Sequence, residues 1–146
     1  MPLRPAPESV LPLLFLLVAA GCGTVKSPTE PPPAGGGPAF TFSQIQTQIF
    51  TPTCAKAGCH AASAGSGGMV LEAGSAYSEI VGRGSTSNPS FNRVEPGVPE
   101  RSYLLKKVRG DADITGARMP LDGPPYLTSE QIEGIAGWIR AGAPNN

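Results

Sequence analysis

The sequence predicts an all-α domain of about four short helices joined by long loops, and it places that domain in residues 39–146. Three observations support this class: two capping-box patterns, apolar residues repeated at helical spacing, and a near absence of alternating strand patterns. The chain contains 19 glycines and 17 prolines, and the segments between the apolar stretches are rich in both, which indicates long loops.

The first helix is predicted from a capping box formed by Thr41 and Gln44. Its apolar residues follow at helical spacing: Phe42, Ile45 and Ile49. Pro52 lacks the amide hydrogen that a helix interior needs, so we expect the helix to end there.

Two shorter helices are predicted in the middle of the domain. Residues 75–81 form the first of them, and residues 99–108 form the second. Pro99 lies near the first turn of the second helix, and Glu100 is favourably placed against the helix dipole. The loops around these helices cover residues 61–68, 82–99 and 109–127.

The last helix begins with a second capping box, formed by Thr128 and Gln131. Its apolar stripe consists of Ile132, Ile135, Ala136 and Ile139. Trp138 is expected at the edge of that stripe, and Gly142 is expected to end the helix.

The segment before the domain is predicted to be a sorting signal and a tether. The apolar run of residues 10–20 is too short to span a membrane and fits the signal peptide assigned to residues 1–21. Small residues precede Cys22 as in a bacterial lipobox, so Cys22 is the expected lipidation site; the alternative is an ordinary signal peptide with an incidental cysteine. Residues 22–38 are expected to form a lipidated Pro/Gly-rich linker. The domain would then be exported and lipid-anchored to a bacterial membrane, facing the periplasm or cell surface.

The composition limits the classes of function. The formal net charge is zero, from 11 basic and 11 acidic residues, so there is no electrostatic case for a nucleic-acid partner. Five Phe, three Tyr and one Trp make a thin core for a domain of this size. A large apolar cofactor could fill that deficit.

Two cysteines and the single histidine form the segment Cys54-Ala55-Lys56-Ala57-Gly58-Cys59-His60. The usual signature for covalent haem is Cys-x-x-Cys-His, in which both thiols bond to the haem and the histidine reaches the iron. Here four residues separate the cysteines, so the intervening chain must bulge, and Lys56 would point outward. We therefore predict one covalent haem c bound by Cys54, Cys59 and His60.

Three other interpretations of this segment stay open. An exported protein allows a disulfide between Cys54 and Cys59, although that leaves His60 without a role. A structural zinc site needs four ligands, and with Cys22 assigned to lipidation the chain has no further cysteine or histidine. The third interpretation is a surface histidine that lies by coincidence near buried thiols.

The sixth iron ligand is predicted to be a methionine, because the chain has no second histidine. Met119 lies 59 residues after His60, in a proline-rich loop that can bring its thioether to the opposite face of the haem. Met69 lies only nine residues after His60 and is expected to pack against the haem. Met119 is thus the preferred ligand and Met69 the alternative; a gap-filling core role is the other interpretation of Met119.

From Ile45 to Ala143 the chain resembles bacterial class I-like, mono-haem cytochrome c domains of lipoproteins, including those with a Cys-x-x-x-x-Cys-His motif. The similarity lies in six segments: Ile49-Phe50, Cys54 to His60, Val94 to Pro99, Ser102 to Leu105, Arg118 to Pro120 and Trp138 to Ala143. The resemblance implies a cytochrome c-like fold in which the first and last helices cross and pack. It also implies His60 and Met119 as the axial pair.

These features favour one-electron transfer to a redox partner protein and not enzymatic catalysis. A peroxidase-type haem needs an open distal side with acid and base groups; Glu95, Asp111 and Asp113 are more simply solvated charges. Three cations are candidates for pairing with the haem propionates: Arg93, Arg101 and Lys106. The alternatives are a haem-based sensor, in which Met119 dissociates so that a gas binds, and a disulfide-stapled surface lipoprotein without haem.

Overall fold

The structure, a computed structural model, describes Met1 and residues 39–146. The predicted signal peptide, the linker and Cys22 lie outside the described residues. Four α-helices are formed: α1 (Phe42–Ile45), α2 (Ala76–Ile80), α3 (Tyr103–Arg109) and α4 (Ser129–Arg140). Within residues 39–146 the extended segments make three isolated β-bridges and no strand, so the all-α prediction is confirmed at this level. No helix in the same range is long and apolar enough to cross a membrane.

The helix that starts at α1 begins as predicted but extends further. Thr41 and Gln44 form a complete capping box. After Ile45 the helix continues as a π-helical segment, Gln46–Cys54, which contains Pro52, so the prediction that Pro52 ends the helix is wrong. In an α-helix a proline ring clashes with the carbonyl four residues back. In a π-helix the backbone amides bond to the carbonyl five residues back, so the wider turn leaves room for the Pro52 ring. The helix therefore ends at Cys54.

The predicted helix over residues 99–108 is split in two. A 3₁₀ turn, Pro99–Arg101, precedes α3, and the fully buried Ser102 between them has an extended backbone. The Ser102 hydroxyl accepts a hydrogen bond from the Glu95 amide at 2.9 Å and donates one to the Val98 carbonyl at 3.0 Å. These bonds to the preceding loop compete with helix continuation at Ser102.

The helix α4 carries the predicted capping box of Thr128 and Gln131, and Gly142, with φ of 93°, lies just beyond its end. Trp138, predicted at the edge of the apolar stripe, is buried, with 1 % of its surface exposed. The reason is that residues 142–146 fold back, and the Trp138 Nε1 donates a hydrogen bond to the Pro144 carbonyl at 2.9 Å. The side chain is therefore buried with its polar atom satisfied.

The hydrophobic core is centred where α1 and its π-helical continuation pack against α4. Phe42 contacts Trp138 with ring centroids 5.6 Å apart and contacts Tyr77 at 5.2 Å. Further buried members of this cluster are Ile45, Ile49, Ile80, Leu105, Ile135 and Ile139. The predicted packing between the first and the last helix is thus present.

Candidate functional site

A cavity of about 290 Å³ opens between the end of the π-helical segment, α3 and the loop after α3. Its apolar floor consists of Ile49, Phe50, Leu71, Leu104, Val108 and Ile135. The two cysteines, the histidine and both candidate methionines also line it: Cys54, Cys59, His60, Met69 and Met119. The fold therefore brings the cysteine–histidine segment and both candidate methionines to one cavity.

The segment from Cys54 to His60 forms a compact turn, which we call the cysteine loop (residues 54–60). The Lys56 carbonyl accepts hydrogen bonds from the Cys59 amide at 3.0 Å and from the Ala61 amide at 3.3 Å. The His60 amide donates to the Cys54 carbonyl at 3.1 Å, and Gly58 has a φ of 81°, which favours glycine. Ordinary turn hydrogen bonds therefore hold the chain between the two cysteines in a compact bulge.

His60 is oriented by the backbone of Met69. The His60 Nδ1 lies 3.3 Å from the Met69 carbonyl oxygen, so a proton on Nδ1 is donated to that oxygen. With Nδ1 occupied in this way, Nε2 is the nitrogen left to bind a metal. A half-buried imidazole with this partner at the cavity wall is suited to metal ligation.

The two methionines reach the cavity from different elements. Met69 stands beside the histidine, because its own carbonyl contacts the His60 ring. Met119 belongs to the loop after α3, where its amide donates a hydrogen bond to the Lys107 carbonyl at 2.9 Å. Both side chains are partly buried and pack against the hydrophobic core.

The two cysteines are free thiols that are each partly buried. Burial raises the pKa of Cys54 to about 12, against an opposing contribution from the nearby Lys56 ammonium. The Cys54 sulfur is therefore a neutral thiol at pH 7 before any bond to a cofactor is made. No cluster of three or more His, Cys, Asp or Glu side chains with metal-binding geometry occurs within residues 39–146.

Only one of the three cations predicted to pair with the haem propionates lies at the cavity. Arg93 lines the cavity, whereas Arg101 and Lys106 do not. Lys106 pairs instead with Asp113 at 2.8 Å and with Asp111 at 3.7 Å. Those two carboxylates, expected to be simply solvated, are thus held in ion pairs.

Lys107 lines the cavity and was not found by sequence reasoning. The signal was available, because Lys107 follows Tyr103 and Leu104 by four and three residues on the same face of α3. Its ammonium group donates to the carbonyls of Thr115 and Ala117.

An ion pair links the cysteine loop to the loop that carries Met119. The Lys56 Nζ lies 2.9 Å from the Asp122 Oδ2, and the two side chains are 43 % and 58 % exposed. The Lys56 side chain points outward, as expected from the sequence, but it has a partner. Asp122 also lines the cavity, so this pair lies at the cavity rim.

Comparison of the chain with protein-family models, with curated proteins and with solved structures finds no match.

Proposed function

We propose that this protein is a one-electron carrier with a single covalent haem c, ligated by His60 and Met119. The observation that carries the proposal is the convergence of Cys54, Cys59, His60 and Met119 on one apolar-floored cavity. These residues are separated by up to 65 positions in the chain, and only the motif itself is local. A cytochrome c-like fold around the haem, in a non-enzymatic protein, is part of the same proposal.

The residues of the cavity fit the chemistry of a haem. Its floor is apolar, as a porphyrin ring needs, and two thiols stand at its wall where thioether bonds would form. Lys107 supplies positive charge for a propionate carboxylate. Arg93 also lines the cavity, but its guanidinium is paired with the Glu79 carboxylate. When bound, the haem would supply one-electron chemistry at its iron, with His/Met ligation raising the reduction potential.

The protein's own residues contribute binding, orientation and exclusion of water. His60 is held by the Met69 carbonyl, which fixes the direction of the ring. The same contact places residue 69 on the histidine side, and therefore favours Met119 as the ligand on the opposite side. Leu71, Leu104 and Ile135 keep the floor of the cavity dry.

Export and anchoring complete the proposal. The lipobox-like residues before Cys22 and the Pro/Gly-rich linker support a lipid-anchored protein that faces the periplasm or cell surface. Covalent haem is useful to such a protein, because a thioether-bound cofactor cannot be lost to the exterior. The expected partners are redox proteins that reach the domain on its tether.

The experiment compares two methionine variants of the haem-loaded protein. A pyridine haemochrome spectrum first establishes the haem and the number of thioether bonds. Met119→Ala should then abolish the far-red sulfur-to-iron charge-transfer band of the oxidised protein, and the matched variant Met69→Ala should retain it. The reverse result would make Met69 the ligand. High-spin iron that readily binds carbon monoxide in the unmutated protein would instead indicate the sensor.

No haem after co-expression with haem-maturation proteins would refute both haem functions. The disulfide-stapled surface lipoprotein would then be the remaining interpretation, and a thiol assay of Cys54 and Cys59 would test it.

A further inference from the structure

The ion pair between Lys56 and Asp122 joins the two chain segments that the proposed haem would hold apart. Lys56 is one of the four residues between Cys54 and Cys59, and Asp122 follows Met119 by three residues. Their side chains meet at 2.9 Å across a separation of 66 residues. The pair, which we call the strap, therefore connects the cysteine side of the cavity to the methionine side.

The loop that carries Met119 has few other ties. Among residues 39–146, two hydrogen-bonded contacts hold residues 119–123 to other segments: the Met119 amide with the Lys107 carbonyl, and the strap. The bond from the Gly123 amide to the Pro120 carbonyl, at 3.2 Å, lies within the loop. Between the two ties Pro120 is buried, whereas Leu121 is 69 % exposed, so packing holds the inner part of the loop and adds little from Leu121 outward. Loss of the strap would leave the outer half of the loop without a polar anchor.

The cysteine loop can present Lys56 because it has four residues between Cys54 and Cys59. The Cys59 and Ala61 amides donate hydrogen bonds to the Lys56 carbonyl and so fix the backbone of this residue. The long side chain of Lys56 then extends to Asp122. A motif with only two residues between the cysteines has no residue in the position that Lys56 occupies. The wide spacing thus provides a residue that can reach the opposite rim.

We propose that the strap is a positioning device: Lys56 holds the Asp122 loop so that the Met119 thioether stays on the haem iron. This inference rests on the proposed function. It gives Lys56 in the widened motif a role, and it makes ligation of the iron by Met119 depend on a surface charge pair.

The strap is formed over the whole neutral range of pH. The hydrogen bond from Lys56 lowers the pKa of Asp122. The stabilisation by the strap is therefore present at pH values above the ordinary carboxyl pKa, and it is lost as the pH falls through the lowered pKa of Asp122. The same bond raises the pKa of Lys56, so on the basic side it is lost only above the ordinary lysine value. Exposed pairs are weak, which limits the effect of breaking one to about fivefold in an equilibrium constant.

Imidazole binding to the oxidised, haem-loaded protein tests the strap, because imidazole must displace Met119 from the iron. Asp122→Ala and Lys56→Ala should each strengthen imidazole binding by about two- to fivefold. The double variant should do no more than either single one, and the charge swap Lys56→Asp with Asp122→Lys should restore weak binding. High salt should strengthen binding to the unmutated protein and leave the variants nearly unchanged.

Asp113→Ala is the matched control. Asp113 pairs with Lys106 at 2.8 Å and is 55 % exposed, close to the values of Asp122, but it does not line the cavity. Imidazole binding to this control should equal that of the unmutated protein. In a Met119→Ala background, Asp122→Ala should have no further effect, which separates positioning of Met119 from a general loss of structure.

Each contrary result overturns either the strap alone or the strap together with the proposed function. Equal imidazole binding by Asp122→Ala and Asp113→Ala, in protein whose haemochrome spectrum shows haem, overturns the strap alone. An effect of Asp122→Ala that persists in the Met119→Ala background also overturns it. Protein without haem in the same spectrum overturns the proposed function and the strap together.

Discussion

The side of the domain where α1 meets α4 and the side that lines the cavity both use residues of α4 and of the π-helical continuation of α1, yet they are held in different ways. On the packed side, the rings of Phe42, Tyr77 and Trp138 fill the space between the elements. On the cavity side, loops surround a space of about 290 Å³ and are fixed by polar bonds.

Arg93 is the strongest example of such a polar tie. It is 9 % exposed, and its guanidinium donates to the carbonyls of Gly67, Gly68 and Glu79 at 3.3, 2.9 and 2.7 Å. It also contacts the Glu79 carboxylate at 3.3 Å. One side chain thus joins the loop near Met69 to the end of α2.

The difference indicates a division of labour within a small domain. The packed side is complete with its own side chains, so its contribution to stability should not depend on a cofactor. The cavity side needs either polar ties or a bound group to stay ordered, because an apolar space without partner atoms loses contacts. Three predictions separate the two sides.

The largest effect is expected on the packed side. Trp138→Ala removes a side chain that is 1 % exposed and leaves the Pro144 carbonyl without its donor, so the free energy of unfolding should fall by about 3–5 kcal/mol. Urea unfolding followed by circular dichroism measures this loss. We expect the loss in protein with and without haem.

Leu121→Ala is the control, because Leu121 is 69 % exposed and its truncation should change stability by less than about 0.5 kcal/mol. A loss for Trp138→Ala that appears only in the haem-loaded protein would show that the packed side depends on the cofactor, and the comparison would fail.

The packed side is also the side that the sequence predicted best. Thr41 with Gln44 and Thr128 with Gln131 form the capping boxes that their spacing indicated, since capping is decided by residues three positions apart. The apolar stripe of α4 is buried for the same local reason. The place of Trp138 could not be predicted this way, because the segment that covers it comes from beyond the helix.

On the cavity side, the residue types were predictable and their ties were not. The cysteine–histidine segment is a local motif, so Cys54, Cys59 and His60 were found together. The Lys56–Asp122 contact joins positions 66 residues apart, and no periodicity indicates it. Interruption of the third helix at Ser102 likewise depends on a hydroxyl that bonds to Glu95 and Val98 in a loop.

The next largest effect concerns Cys54, which lies where the two sides meet. Its pKa of about 12, raised from 9.0 by burial, leaves roughly a hundredfold to thousandfold less thiolate at pH 8 than an exposed thiol has. Iodoacetamide should therefore alkylate Cys54 slowly in folded haem-free Cys59→Ser protein and rapidly in urea. Mass spectrometry follows the reaction.

The sign of the pH dependence follows from the raised pKa. The neutral buried Cys54 thiol makes its full contribution to stability below the ordinary thiol pKa. That contribution is lost as the pH rises from about 9 towards 12, because the unfolded chain ionises first. Equal alkylation rates in folded and unfolded protein would show that Cys54 is not buried, and would move it from the boundary to the open cavity rim.

The smallest of the three effects is expected for Arg93→Ala on the cavity side. Hydrogen bonds to a charged group contribute about 1.5–3 kcal/mol, so the free energy of unfolding should fall by that amount, less than for Trp138→Ala. Hydrogen exchange should accelerate at the Gly68 and Met69 amides, which are bonded to the Gly65 carbonyl, and stay slow in α4.

Arg93→Lys should recover only part of the loss, because one ammonium group cannot reproduce the fork that binds three carbonyls. Arg101→Ala, at an exposed position away from the cavity, should have almost no effect. Faster exchange in α4 as well would mean that the two sides unfold as one unit, and that polar ties and apolar packing share the same cooperative core.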